Sequence, residues 1–349
     1  MKISMNQNRI YIQAADQISI QQPISEQWME TPISYNEPCV RSINPNFREY
    51  LAPNEARRLG NLIKRALVTT LTVLRKADIE HPDAIITGTC LGSLDYTERL
   101  LHDLCENGEE SLSPTYFMQS THNTVGSTLG IYTKTKGYNT TYSHSALSFD
   151  CALLDAWMQM KLGKISNALV GGHDEMTEEC FGLQKKIGFV GVEGMDPCGE
   201  VAVSMMLNNS DSSKVLCEIA GISLLHKPTI NDIKQKLVAI LGEANISASE
   251  IGAVVTGKNG NKFNDKYYSE LITEVFPNLP LLHYKHLFGE HYTSSAFGVY
   301  AAAHCIDKGY VPSSLYDSNT PSRCNNLHNM LILNQQGGDD YSIIILRKV

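Results

Sequence analysis

The sequence lacks an apolar run long enough to cross a bilayer, for which a helix needs about 20 consecutive apolar residues. It also lacks a signal-peptide core in Met1–Gln7, so we expect a cytoplasmic protein. Basic residues are not in excess, because 29 Lys and Arg stand against 37 Asp and Glu, a formal net charge of -8 at pH 7. Nonspecific binding of nucleic acid needs a basic surface, so we do not expect a nucleic-acid partner.

Spacings typical of disulfide or metal sites are also missing. The 9 cysteines include no CxxC pair, and their scatter through apolar segments indicates reduced thiols in the core. The 11 histidines include no HxxxH pair, and the nearest grouping is His283, His286 and His291. Because no carboxylate or thiolate completes this set, we expect no bound metal.

What the chain does have is a regular alternation of strand and helix patterns. Apolar residues spaced by three and four from Leu59 to Leu74 predict an amphipathic helix that begins near Pro53. Phe149–Leu162 has few charged residues and Ser294–Lys308 is rich in alanine, so we expect both segments to be buried helices. The alternation predicts an α/β architecture with helices flanking largely buried sheets. The pattern repeats after a polar turn at 208–213, so we expect two similar halves, residues 1–210 and 211–349.

One stretch resembles a known catalytic segment. Residues 139–149, Asn-Thr-Thr-Tyr-Ser-His-Ser-Ala-Leu-Ser-Phe, resemble the nucleophile segment of a β-ketoacyl synthase, in which a strand turns sharply into a buried helix. That family carries a cysteine in the turn. Counting forward from Asn139 and backward from Gly171 both place this position at Ala146, which has no nucleophile to form a thioester. A slip of one residue would select Ser145 instead.

Two further family motifs are altered. The resemblance places the first of the family's two catalytic histidines at Gly257 and the second at His291, which would polarise a carbonyl or be a satisfied interior histidine. The family's Gly-Phe-Gly-Gly-Thr-Asn loop corresponds to 334–340, where the paired glycines stay and the phenylalanine does not. The resemblance therefore implies an acyl pocket formed by Ala146, Ser148, Phe149, His291, Gly337 and Gly338.

Polar residues at the turn leave a rival interpretation open. Ser145 would act as a nucleophile if His144 or His291 supplied a base within hydrogen-bond reach. Alternatively, Ser145 and Ser148 cap the buried helix. The sequence favours capping.

A local basic cluster contrasts with the acidic chain. Arg57, Arg58, Lys64 and Arg65 fall on the helix predicted from Pro53, near the place where the family has an arginine pair at the entrance used by acyl carrier protein. Acyl carrier protein is acidic, so these residues would steer it to the site. The other interpretation is a solvated helix face.

The resemblance covers nearly the whole chain and implies a thiolase-like fold of five layers, αβαβα. Family members dimerise. A member without its thiol is expected to be a chain-length factor, similar to those associated with aryl polyene and flexirubin-type pigments, in type II polyketide or fatty-acid biosynthesis. Its expected partners are an active ketosynthase subunit, or a second copy of itself, and acyl carrier protein. We expect no cofactor apart from acyl-phosphopantetheine delivered on that carrier. The alternatives are an acyltransferase that uses Ser145 or His144, and a module that binds an acyl chain or the carrier protein.

Overall fold

Ten strands form one mixed sheet in the computed structural model, which describes residues 9–210 and 214–349. Three features of the sequence lie at or outside the limits of the described residues. They are the predicted boundary between 210 and 211, the end of the predicted turn at 208–213, and Met1–Gln7. The strands are β1 (Tyr11–Ile18), β2 (Ala84–Gly88), β3 (Tyr138–Tyr142), β4 (Asn167–Asp174), β5 (Val201–Asn208), β6 (Cys217–His226), β7 (Ile251–Thr256), β8 (Leu281–His283), β9 (Asn329–Gln336) and β10 (Asp340–Arg347).

The strand order shows that the sheet has two equivalent parts. It runs β3-β2-β4-β5-β1-β6-β10-β9-β7-β8. If the strands of each half are numbered one to five along the chain, both halves have the order three, two, four, five, one from the outer edge to the middle of the sheet. In each half two parallel pairings lie at the outer side and antiparallel pairings at the inner side. β1 and β6 join the halves through the pairs Tyr11–Glu218 and Ile12–Cys217.

Helices cover both parts of the sheet and fill the space between them. No helix among the described residues is long and apolar enough to cross a membrane. The helices are α1 (Pro53–Ala56), α2 (Asn61–Ala77), α3 (Leu94–Asn107), α4 (Pro114–Ser120), α5 (Thr124–Tyr132), α6 (Ser148–Lys161), α7 (Glu178–Lys186), α8 (Ile230–Glu243), α9 (Lys262–Val275), α10 (Lys285–Phe288) and α11 (Ser295–Lys308).

The core has five layers. Helices α2 and α5 share one apolar cluster with the first part of the sheet, and α8 and α9 share another with the second part. The central cluster contains α6 and α11 together with strands of both parts. Small side chains such as Ala152, Ala156 and Ala302 let these two helices lie close to the sheet. The predicted α/β architecture and both predicted buried helices are thus confirmed.

The single helix predicted from Pro53 is wrong. The chain leaves the helix after α1 and begins α2 at Asn61, with Gly60 in an extended conformation between them. A Cβ atom on Gly60 would lie 2.7 Å from Cε2 of Tyr96, so the ring of Tyr96 on α3 packs directly against the chain at this break. Arg57 and Arg58 therefore lie on a different segment from Lys64 and Arg65.

The N-terminus of α6 is fixed by a close backbone contact with β2. A Cβ atom on Gly88 would lie 2.5 Å from the backbone nitrogen of Phe149 and the carbonyl carbon of Ser148. Because backbone cannot move aside as a flexible side chain can, the last residue of β2 has to be glycine. This contact fixes the position of the turn between β3 and α6.

A buried carboxylate connects α6 to three other elements. Asp150 accepts hydrogen bonds from Ser295 Oγ of α11 at 2.7 Å and from Ser342 Oγ of β10, and Asn334 Nδ2 of β9 lies 3.5 Å away. Burial raises the pKa of Asp150, although the two serines and Asn334 oppose that rise. The network links the central layer to the second part of the sheet.

We expect Asp150→Ala to lower the free energy of unfolding by about 2–4 kcal/mol, because it leaves buried hydroxyl groups without an acceptor. Asp150→Asn keeps the volume and one acceptor oxygen, so its loss should be about half as large. Urea unfolding followed by circular dichroism measures both. Glu274→Ala, at an exposed ion pair with Lys234, is the control and should change the value by less than about 0.5 kcal/mol. Equal stability of Asp150→Ala and the wild type would show that the network contributes nothing.

Candidate functional site

The turn between β3 and α6 is closed by a serine. A short 3₁₀ segment at Ser145–Leu147 precedes α6, and Ser145 has a φ of 47°, in the left-handed region. Ser148 Oγ accepts a hydrogen bond from the backbone nitrogen of His144 at 2.9 Å and donates one to the carbonyl of Ser145 at 2.7 Å. Ser148 therefore holds the turn together. The predicted capping by Ser145 and Ser148 is wrong, because the N-cap position of α6 is Leu147 and no side chain caps it.

Both backbone polar groups of Ala146 are bound by side chains of β9. Its N–H donates to Gln336 Oε1 at 3.1 Å, and its carbonyl accepts from Asn334 Nδ2 at 3.0 Å. Gln336 stands where the family loop has phenylalanine. A free N–H at this helix start would be a donor for a developing oxyanion. Here the Gln336 amide oxygen already occupies that donor, so an acyl carbonyl would have to displace it.

A cavity of about 410 Å³ lies beside Ala146. Of the predicted pocket residues, Ala146, His291 and Gly337 line it, whereas Ser148 and Phe149 are fully buried beneath the turn and Gly338 is not in its wall. No cysteine is among its lining residues in the described part of the chain. Further walls come from Phe189, Asn259, Asn261, Phe263, Asn264, Lys266, Tyr267, Lys285, Glu290, Tyr292, Gln335 and Gln336.

Gly257, the predicted place of the first histidine, has no room for a side chain. A Cβ atom there would lie 2.5 Å from the hydroxyl of Tyr268 and 2.9 Å from Asn334 Oδ1. The Tyr268 hydroxyl donates to Asn334 Oδ1 at 3.2 Å and accepts from the backbone nitrogen of Gln335 at 3.0 Å. A tyrosine hydroxyl thus fills the space beside Gly257. Sequence spacing gave no sign of Tyr268, because it is brought there by α9.

A buried ion pair forms the floor of the cavity. Lys285 Nζ lies 2.7 Å from Glu290 Oε2, and Asn259 Nδ2 donates to the same oxygen at 2.5 Å. Ser294 Oγ is 3.4 Å from Glu290 Oε1. Glu290, which departs from the family's glycine, is therefore held by three side chains, and Lys285 compensates its charge.

His291 is paired with acidic and carbonyl groups at the end of β4. Its Nε2 donates to the carbonyl of Glu175 at 3.2 Å, and its Nδ1 lies 3.5 Å from Asp174 Oδ2, an ion-pair distance. Burial lowers the pKa of His291, but Asp174 more than compensates and the net pKa is raised. Burial likewise raises the pKa of Asp174, while His291 and the Thr89 hydroxyl bring it below its usual value. His291 is thus a buried imidazole whose Nε2 is bound by the Glu175 carbonyl and whose Nδ1 lies beside Asp174 at the end of β4.

In the part of the chain that the structure describes, neither His144 nor His291 forms a hydrogen bond with Ser145. The side chain of His144 is directed at Asp340, 3.9 Å from Nε2 to Oδ2, and Asp340 also binds His226 at 2.7 Å. The thiol beside Ser145 is that of Cys90, whose pKa is raised to about 12 by burial and by Asp174 despite a hydrogen bond with Ser145. A thiol with such a pKa is protonated near neutral pH and is a poor nucleophile.

Arg65 is not part of a basic surface, which corrects the predicted docking cluster. Its side chain is buried, forms an ion pair with Glu200 Oε1 at 2.8 Å, and donates to Asn44 Oδ1 at 2.7 Å. Lys64 is half-buried, 5.7 Å from the ring of Phe47. Arg57 and Arg58 are exposed. The helical spacing could not reveal this, because Arg65 lies on the buried face of α2.

The ion pair of His291 and Asp174 predicts a defined pH dependence. A raised histidine pKa contributes stability that is complete below the unfolded value of about 6.5 and is lost as the pH rises through the folded value. A lowered carboxylate pKa contributes stability that is complete above the unfolded value of about 4 and is lost as the pH falls through the folded value. We therefore expect His291→Gln to cost about 2 kcal/mol of unfolding free energy near pH 5.5 and progressively less at higher pH.

Urea unfolding of wild type and His291→Gln across this pH range measures the difference. His102→Gln is the control, because His102 forms an exposed pair with Glu179 and should show a difference close to zero. A difference that stays constant from acidic to alkaline pH would contradict the pairing.

The chain is similar to known proteins in sequence and in fold. The family model described as beta-ketoacyl synthase, N-terminal domain, matches residues 26–236. Curated protein sequences give no significant match. Among solved structures, the ishigamide ketosynthase/chain length factor superposes with a TM-score of 0.85 at 16% identity, covering 99% of this chain and 100% of that chain.

Two further structures are similar over the same extent. A beta-ketoacyl synthase from Burkholderia phymatum has a TM-score of 0.79 at 14% identity, covering 98% of this chain and 100% of that one. A ketosynthase in complex with its chain length factor from Xenorhabdus doucetiae has a TM-score of 0.79 at 15% identity, covering 98% of both chains. These matches agree with the predicted thiolase-like fold, and the family model spans more than half of the sequence. The chain belongs to the β-ketoacyl synthase family.

Proposed function

We propose that this chain is a noncatalytic ketosynthase-like subunit of the chain-length-factor type. It pairs with an active ketosynthase in carrier-protein-dependent assembly of a polyketide chain, such as an aryl polyene, or of a fatty acyl chain, in the cytoplasm. The observation that carries the proposal is the alanine at 146, whose side chain has no nucleophilic atom and whose N–H is bound by Gln336. The space beside Gly257 excludes an imidazole as well.

The cavity suits a role in receiving or shaping an acyl chain. It combines aromatic walls, including Phe189 and Tyr292, with a compensated ion pair at Lys285 and Glu290. Pockets that are mostly apolar with a few fixed polar groups are typical of sites for small ligands. The names of similar structures support this role, since one is a ketosynthase with its chain length factor and another holds an acyl-carrier protein with a ketosynthase bound to a hexaketide.

An exposed surface next to β3 is the proposed contact with the ketosynthase. β3 is an edge strand, so one side of its backbone has no partner strand in the described part of the sheet. Helix α5 packs against β3, α4 packs against α5, and α3 packs against α4. Monomeric proteins seldom leave many large apolar side chains exposed on one surface. The exposed ones here are Leu101, Leu104, Phe117, Met118, Ile131 and Tyr138.

Acyl carrier protein is the second proposed partner. Arg57 and Arg58 are exposed beside α1, and an acidic carrier would be attracted to such a pair on a chain with a net charge of -8. Acyl-phosphopantetheine on this carrier is the proposed source of the acyl group, and no other cofactor is needed for the role. The proposal does not include Arg65, whose charge is compensated by Glu200.

The proposal predicts that the wild-type chain forms no covalent adduct with an acyl-loaded carrier protein, as measured by intact-protein mass. Ala146→Cys supplies a thiol, and Ala146→Cys combined with Gln336→Gly also frees the N–H. We expect the double variant to be acylated about 10-fold faster than the single one, since one hydrogen bond of about 1.4 kcal/mol is no longer displaced. Neither variant should condense malonyl units, because Gly257 supplies no histidine. An adduct on the wild-type chain, located by peptide mapping, would contradict a noncatalytic role.

The proposed contact surface predicts that Phe117→Glu and Tyr138→Asp abolish copurification with the ketosynthase of the same host. A charge placed in an apolar interface is desolvated without a partner, which weakens binding. Val238→Glu is the matched control, because Val238 is 71% exposed on α8, away from β3, and should leave copurification unchanged. Size-exclusion chromatography of the coexpressed pair measures the outcome. Full condensing activity of the chain without any partner would contradict the pairing.

A further inference from the structure

Three side chains outside the Ala146 turn come together in the second half of the molecule. Asp196 lies in the segment that follows α7, His283 ends β8, and His286 lies in α10. One ligand atom from each lies within 4.8 Å of the other two. In the sequence, His283 and His286 lie near His291, and no carboxylate completes a ligand set. In the folded chain His291 is paired with Asp174 instead, and Asp196 is the residue that lies beside His283 and His286.

The two imidazoles present unused lone pairs. His286 Nε2 faces the carbonyl of Ser314 at 2.8 Å and must donate to it, so the proton of the neutral ring is on Nε2 and Nδ1 carries a lone pair. Among the residues that the structure describes, Nδ1 of His286 and Nδ1 of His283 are both buried without a hydrogen-bond partner. A buried polar atom without a partner costs free energy that a bound ion would recover. The ring centroids are 3.9 Å apart.

The charges around the three residues favour a cation. Asp196 lies close to three further carboxylates, Glu290, Asp265 and Asp317, and to one cation, Lys285. Asp317, which also lies close to the histidines, is shared with Lys258 at 3.5 Å. A divalent ion would stabilise the Asp196 carboxylate.

We propose that Asp196, His283 and His286 form a binding site for a divalent transition-metal ion of the zinc class. Two neutral imidazoles and one carboxylate make a three-ligand set that leaves a position for water, whereas Mg²⁺ and Ca²⁺ prefer oxygen ligands. The hydrogen bond from His286 to Ser314 fixes the ring, as outer contacts do in metal sites. If all three ligand atoms bond one ion at about 2.1 Å, these atoms have to move closer to one another by about 1 Å.

A bound ion would connect two segments that line the cavity, the one after α7 and the one that carries Lys285. The segment that carries Asp196 also carries Phe189, whose ring stacks on Tyr292 at 4.8 Å and lines the cavity. His283 and His286 flank Lys285, which pairs with Glu290 in the cavity. The ion would therefore fix the segment after α7 against β8 and α10. This site does not depend on the proposed chain-length-factor role.

The test is titration of the chelator-treated full-length protein with Zn²⁺ alone, in competition with a chromophoric chelator, and with Co²⁺ alone. We expect one equivalent of Zn²⁺ to bind and to raise the melting temperature. Asp196→Asn and His283→Asn should each lower the affinity for Zn²⁺ by about 100-fold or more. Asp196→Asn keeps the side-chain volume and removes a partly buried charge, so the fold of this variant should persist. His226→Gln, at an exposed histidine paired with Asp340, is the control and should bind like wild type.

The visible spectrum with Co²⁺ distinguishes this site from the cysteines. Ligation by nitrogen and oxygen gives ligand-field bands without the near-ultraviolet charge-transfer band of a cobalt–thiolate bond. A thiolate band, or stoichiometric Zn²⁺ binding that persists in the Asp196→Asn, His283→Asn double variant, would overturn the assignment. Absence of stoichiometric binding to the wild type would overturn it as well.

Discussion

The pair of hydrogen bonds between Ala146 and β9 is the interaction on which the rest of the site depends. The N–H and the carbonyl of one residue at the start of a buried helix are each bound by a side-chain amide, Gln336 on one side and Asn334 on the other. Asn334 also lies next to Asp150 and Tyr268. The turn, the central helices and the second part of the sheet are thus one hydrogen-bonded unit. Such a unit is rigid, because releasing one member leaves another buried group without a partner.

Three of the ion pairs among the described residues are buried on both sides. Asp174 with His291, Glu290 with Lys285, and Glu200 with Arg65 each place a carboxylate beside a basic side chain at low exposure. Buried pairs of this kind add little net stability, but breaking one leaves an uncompensated charge. They therefore specify one arrangement of the loops around the cavity more than they stabilise the fold.

The sequence was sufficient for the architecture. Periodicity identifies α6 and α11, because helices buried on nearly all sides have few charges, and the equal strand order of the two halves agrees with the predicted repeat. Local spacing could not give contacts between distant segments. Nothing near Arg65 in the sequence indicates Glu200, and nothing near the histidines of β8 and α10 indicates Asp196, since these meet only when separate loops fold together. Gln336 was visible only as the residue that replaces phenylalanine, and its bond to Ala146 follows from the path of β9.

The tyrosine beside Gly257 has a consequence for how such a chain can change over time. Restoring an imidazole at that position collides with the Tyr268 hydroxyl, and trimming that tyrosine first leaves the amide of Asn334 and the nitrogen of Gln335 without one of their hydrogen-bond partners. Each single step toward a histidine at position 257 therefore passes through a less stable intermediate. A chain with this geometry reaches an imidazole there only if positions 257 and 268 change together.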